Sequence, residues 1–201
     1  MLRNRAIALA NFGYFGHMWE LYAMWGWFAV YTRAAIVAPN VTDGARASLL
    51  TFVVIASGIA GCLLGGYLAD RWGRTATTIL MMAVSGASAC LIGFVFTGPL
   101  WLFAAVGMVW GVAVVGDSAQ FSAMVTEVGD PRFVGTALSL QLGVGFALTV
   151  GSIWLLPHIA LLFGGWRWVF LVLIPGPGLG ILAMVLLRRL PDADRIAHGR
   201  R

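Results

Sequence analysis

Four polar side chains stand inside otherwise greasy stretches. His17 and Glu20 lie three positions apart in GHMWELYAMW, residues 16 to 25, and Asp117 and Gln120 repeat the spacing in GDSAQF, residues 116 to 121. Three residues is close to one helical turn, so each pair shares a helix face. His17 and Glu20 can therefore exchange a hydrogen bond or a proton, the elements of a protonation switch. Their stripe continues through Met24, Trp27 and Tyr31 and is roughly 80° wide at about 100° per residue. Asp117, Gln120 and Met124 form a second one. An ionised carboxylate against lipid costs about 2.5 to 3.5 kcal/mol on insertion scales, so these groups must face an interior or a wet cavity. The structural alternatives stay open: His17 and Glu20 as satisfied packing residues, Asp117 as part of a loop network. A metal is not indicated, because HxxE with Asp117 finds no third strong ligand on the same stripe.

The elements that position them are written in the composition. Of 201 residues, 60% are hydrophobic and 10% charged, which excludes an ordinary soluble domain and makes lipid the solvent for much of the surface. Apolar stretches long enough to span a bilayer run over 7–31, 47–69, 75–97, 100–124, 133–157 and 166–187. They predict an all-α integral membrane protein of six helices: a bundle over 1–190 and a tail over 191–201. The start, MLRNRAIALA, has a basic lead but no small-residue cleavage site, and reads as part of an uncleaved first span.

The charge of +5 comes entirely from arginines standing between the apolar stretches, a topology signal and not a nucleic-acid patch. Ten of them (Arg3, Arg5, Arg71, Arg74, Arg132, Arg188, Arg189, Arg195, Arg200 and Arg201) fall on the side of the termini, against Arg33, Arg46 and Arg167 on the other. The imbalance places both termini in the cytoplasm of a cell with an inner membrane. Trp27, Tyr31, Trp101, Trp166 and Trp168 lie near the opposite ends, where amphipathic rings favour the interface. Cys62 and Cys90 fall inside apolar stretches and read as small buried hydrophobes.

Small residues recur every four positions: Ser57, Gly61, Gly65 and Ala69; Gly107 and Gly111; Gly143, Ala147 and Gly151. Such stripes serve close helix packing or a sliding surface. Pro175 and Pro177 in PGPGLG remove backbone donors and predict a kink in the last helix.

Between the second and third stretches stands Gly66-Tyr67-Leu68-Ala69-Asp70-Arg71-Trp72-Gly73-Arg74. This turn resembles the signature cytoplasmic loop of the major facilitator superfamily, G-x-L-A-D-R-x-G-R followed by a basic residue, whose last place is Thr75 here. Its chemistry is that of a gate: Gly66 for close packing, Asp70 accepting from helix N-terminal amides, and Arg71 and Arg74 facing carboxylates such as Glu127 and Asp130, beside Arg132. GWRWVF (165–170) and the ending LRRLPDADRIAHGRR extend the likeness, which implies half of a facilitator fold, resembling helices seven to twelve.

The resemblance implies that the first and fourth helices line a central cavity, the second and fifth meet another six-helix half, and the third and sixth face lipid. The polar stripes do lie on the first and fourth. The implied function is secondary transport of a small solute by alternating access, with protons as one coupling ion, His17, Glu20, Asp117, Gln120 and Trp27 in the cavity, and a homodimer or a separate N-terminal half as partner. No nucleotide-binding loop, cofactor motif or nucleophile constellation is present in the sequence, and an enzyme is not indicated. The alternative is a truncated or non-transporting membrane protein that keeps the half-fold.

Overall fold

The computed structural model describes residues 4–36 and 41–200, in which every regular element is helical. Arg3 and Arg201, both in the charge count above, lie outside them. The helices are α1 (Arg5–Ala35), α2 (Val41–Ala56), α3 (Gly58–Trp72), α4 (Arg74–Phe94), α5 (Leu100–Gly116), α6 (Ser118–Val128), α7 (Val134–Leu162) and α8 (Pro175–Arg188).

Five runs are long and apolar enough to cross a membrane: Gly44–Trp72, Arg74–Phe94, Leu100–Val128, Pro131–Leu162 and Val169–Arg188. They match five of the six expected stretches. The expected span over 7–31 coincides with α1, which at 31 residues has the length but is not one of the five. Its polar and Trp/Tyr side chains dilute the apolar ones.

Two of the runs are interrupted, and two others begin as 3-10 turns. The first breaks at Ser57, whose hydroxyl reaches the carbonyl oxygens of Val54 (2.6 Å) and Met108 (3.0 Å). The third breaks at Asp117, the fourth begins as a 3-10 turn, Pro131–Phe133, and the last as another, Val169–Leu173, before α8 starts at Pro175. Proline in a first helical turn gives up an amide that has no partner anyway, so the expected kink is realised as a helix start.

α1 runs through the middle of the bundle, packed on α2, α6, α7 and α8. Its two halves sit in two separate apolar cores. Residues 21–31 join Phe103, Trp110, Leu156 and Phe170 in one, and residues 6–18 join Met82, Phe121, Met124 and Met184 in the other. His17 and Glu20 fall at the seam between them.

Since lipid tails are as apolar as leucine, close backbone approach supplies much of the packing energy. A Cβ at Gly16 would strike the carbonyl oxygen of Gly176, and one at Gly180 the sulfur of Met82, so the glycines of PGPGLG form the seat on which α1 and α4 rest. A Cβ at Gly61 would meet the Val112 carbonyl, and one at Gly65 the Gly116 carbonyl. The stripe of the second span is thus turned inward against α5, not outward to another bundle. Gly143 and Gly151 on α7 face open space. The second and fifth spans remain the least covered, with 28% of each apolar window inside the bundle against 56% for the third.

One loop assignment is corrected by the same contacts. Nothing lies near a Cβ at Gly66, and the close approach belongs to its neighbour Gly65. Gly65→Ala should destabilise the bundle by about 3 kcal/mol, the upper end for overpacking, while Gly66→Ala should stay within about 0.5 kcal/mol. Unfolding of the two variants in mixed micelles checks the contrast.

Candidate functional site

Glu20 lies in the centre of the bundle, 2% exposed. One carboxylate oxygen, Oε1, accepts from Ser85 Oγ on α4 (2.8 Å) and from Trp110 Nε1 on α5 (2.7 Å). Two donors from two helices answer the desolvation that burial imposes on a carboxyl group.

His17 is equally buried but does not pair with Glu20. Its Nδ1 stands 2.9 Å from Asp117 Oδ1, and its Nε2 stands 3.1 Å from Ser118 Oγ. Asp117 occupies the break between α5 and α6, where the interrupted helix lets the side chain turn to α1. Both ring nitrogens and Glu20 Oε1 are engaged with other helices, so the expected exchange within α1 gives way to two separate pairings across the bundle. Rings of Tyr14 and Phe121 flank the imidazole at 6.0 and 5.6 Å.

The expected cavity stripe is therefore an internal seam. Met24 and Tyr31 are buried, the Tyr31 hydroxyl donates to the Arg167 carbonyl (3.0 Å), and Trp27 Nε1 donates to the Ile153 carbonyl on α7 (2.8 Å). A groove of about 500 Å³ between α1, α7 and α8 is lined by Phe12, Phe15, Trp19, Val144, Leu148 and Leu179, among others, and by none of the expected cavity residues.

At the loop, Gly73 takes φ of +89°, a left-handed value that favours glycine, and reverses the chain between α3 and α4. The reversal sets Arg74 at the start of α4, facing α6. Its Nε and Nη2 donate to Glu127 (2.8 to 3.0 Å) and its Nη1 to Gln120 Oε1 (2.9 Å). Gln120 thus belongs to this network and not to a cavity. Arg132 turns to Asp130 in its own loop (2.7 Å), holding that carboxyl below the usual range, and Arg71 lies over the Tyr67 ring at 4.8 Å. Asp70 is exposed, and among the described residues its carboxylate makes no bond to a helix N-terminus. Its backbone carbonyl accepts from Arg200.

Residues that sequence reasoning passed over complete the picture. Ser118, Ala119, Ser122, Ala123 and Thr126 form a partly or fully exposed face of α6 made of small and polar side chains. Ser122 donates to Gln141 Oε1 on α7 (3.2 Å), and Gln141 Nε2 donates to Asn11 Oδ1 on α1 (3.0 Å). Asn11 and Gln141 stand as polar residues within apolar stretches, and that is the sequence signal that marks them.

A sequence profile of the Major Facilitator Superfamily matches residues 7–201. The chain belongs to this superfamily. The 3-(3-hydroxy-phenyl)propionate transporter of Escherichia coli (strain K12) is 31% identical over 146 residues, which cover 67% of this chain and 32% of that protein. Among solved structures, an auto-inhibited POT family peptide transporter matches with a TM-score of 0.76 at 18% identity, covering 92% of this chain and 37% of its own. The xylose transporter XylE of E. coli, inward open, matches with a TM-score of 0.71 at 17% identity, covering 96% and 49%. The chain spans about a third of the length of the curated relative, and the two structures establish the fold.

Within this facilitator bundle the two loop pairs differ physically. Arg74 and Glu127 are each 25% exposed and share three hydrogen bonds, whereas Asp130 and Arg132 are 42% and 79% exposed. A double-mutant cycle on Arg74 and Glu127, read by unfolding, should return a coupling of about 1.5 to 3 kcal/mol, as for hydrogen bonds to charged groups. The same cycle on the more exposed Asp130 and Arg132 should return a much smaller coupling.

Proposed function

We propose that the chain is the solute-handling half of a secondary transporter that works by alternating access in a cell inner membrane. The observation that carries the reading is the exposed polar face of α6, at one edge of which Ser118 touches the buried His17–Asp117 pair. Serine and threonine hydroxyls on a bundle surface suit water or solute better than hydrocarbon. A titratable pair directly beneath such a face links solute occupancy to protonation.

In this reading α1 is a sixth crossing, both termini lie in the cytoplasm, and the polar face of α6 meets a second six-helix bundle across a central path. The partner is either a second copy or an N-terminal facilitator half. Its contact surface is the poorly covered second and fifth spans, and the Arg74–Glu127–Gln120 network is the cytoplasmic gate. His17 with Asp117 carries the coupling proton, and Glu20 fixes the rotation of α1. The E. coli relative suggests an aromatic acid as solute, with Ser118, Ser122 and Asn11 as its polar contacts.

The second reading is a folded membrane protein that does not transport. The self-contained burial of Glu20 and Asp117 favours it, because the bundle does not need a partner to shield its carboxylates.

Uptake of radiolabelled 3-(3-hydroxyphenyl)propionate into proteoliposomes, with the chain alone and with an N-terminal facilitator half, separates the two. Transport predicts uptake that an inward proton gradient drives, and that His17→Asn and Asp117→Asn each uncouple from pH. Gradient-driven uptake that survives both substitutions would remove the pair from coupling, and no uptake of any aromatic or aliphatic acid in either preparation would leave the second reading.

A further inference from the structure

The segment beyond α8, expected as a cytoplasmic tail, folds back beneath the bundle. Ile196 is 1% exposed and sits in the apolar core beside Val128 and Leu187. Around it, the segment binds the ends of several helices. Arg195 Nη1 donates to the Val128 carbonyl (3.1 Å) at the C-terminus of α6, where bare carbonyls and the helix dipole favour a cation. The Ala197 amide donates to Glu127 Oε2 (3.1 Å), the carboxylate that also holds Arg74 at the start of α4. Arg200 donates to the Asp70 carbonyl near the end of α3. One short stretch thereby joins the ends of α3 and α6 to the first residue of α4.

Its backbone does not favour this shape by itself. Ala197 and His198 adopt φ of +48° and +56°. The left-handed region is costly for residues with a Cβ, so the conformation is maintained by its contacts and is lost when they go.

We propose that residues 191–200 are a latch that holds this end of the bundle closed when docked, and whose release frees the α6 end and the α3–α4 turn to move apart. As a regulator the latch rests on the transport reading. Its docking does not, and can be tested without any solute.

In a Cys62→Ser, Cys90→Ser background in nanodiscs, where both membrane faces are accessible, a cysteine is placed at Ile196 or at exposed His198. Each is reacted with a charged maleimide. Docking predicts slow reaction at 196 relative to 198. Adding Arg195→Ala or Glu127→Gln should raise the rate at 196 by about tenfold or more, the loss of one hydrogen bond to a charged group, and leave 198 unchanged. Hydrogen exchange of the Ala197 amide in the chain without cysteine substitutions gives a second reading, with protection expected and its loss in Arg195→Ala. If position 196 reacts as fast as 198 and the Ala197 amide exchanges at the rate of open backbone, there is no docked latch. If 196 is protected but neither substitution accelerates it, the contacts named here are not what hold the segment.

Discussion

A carboxyl group in the middle of an apolar bundle must be hydrogen-bonded by the protein itself, because lipid offers no donors. Glu20 meets that requirement through Ser85 and Trp110, and much of the fold follows. The donors stand on α4 and α5, so α1 is fixed in rotation against both. That rotation carries His17 to Asp117 at the α5–α6 break and turns Gly16 onto Gly176 of α8. Changing the register of α1 by a single residue would turn Glu20 about 100° away from its donors.

Three arginines serve helix ends. Arg167 donates to the Gly93 carbonyl in the last turn of α4, Arg195 binds the end of α6, and Arg200 the end of α3. Arginine suits the task because its fork reaches bare carbonyls while its charge opposes the dipole. Arg74 differs from these: it opens a helix, and its partners are the side chains of Glu127 and Gln120. That network ties the α3–α4 turn to α6, the helix whose outer face carries the exposed hydroxyls.

Much of the architecture was legible as apolar runs, because span length in a membrane is set by bilayer thickness and little else. The loop family was legible too, since GYLADRWGR places a required glycine and a charged pair at fixed spacing. The direction in which each side chain points was not. The stripe of His17, Glu20 and Met24 reads identically whether it faces a cavity or a seam, and only the positions of Ser85, Trp110 and Asp117 on other helices decide it. Gly65 and Gly66 are likewise adjacent and indistinguishable until α5 approaches one of them. The α6 face escaped notice because serine, alanine and threonine leave no hydropathy minimum. The docked segment after α8 escaped because a charged, proline-led stretch reads as tail.

With Glu20 and Asp117 enclosed by their own helices, what a second bundle would cover is the hydroxyl face of α6 and apolar surface that lipid also solvates. A partner would then complete a path for solute without being needed for folding. Steric-trap unfolding of the single chain in bicelles, repeated over a wide range of protein-to-lipid ratios, tests this directly. The account predicts an unfolding free energy that does not change on dilution to isolated chains; a stability that falls steadily as chains are separated would show that the buried carboxylates depend on a neighbour.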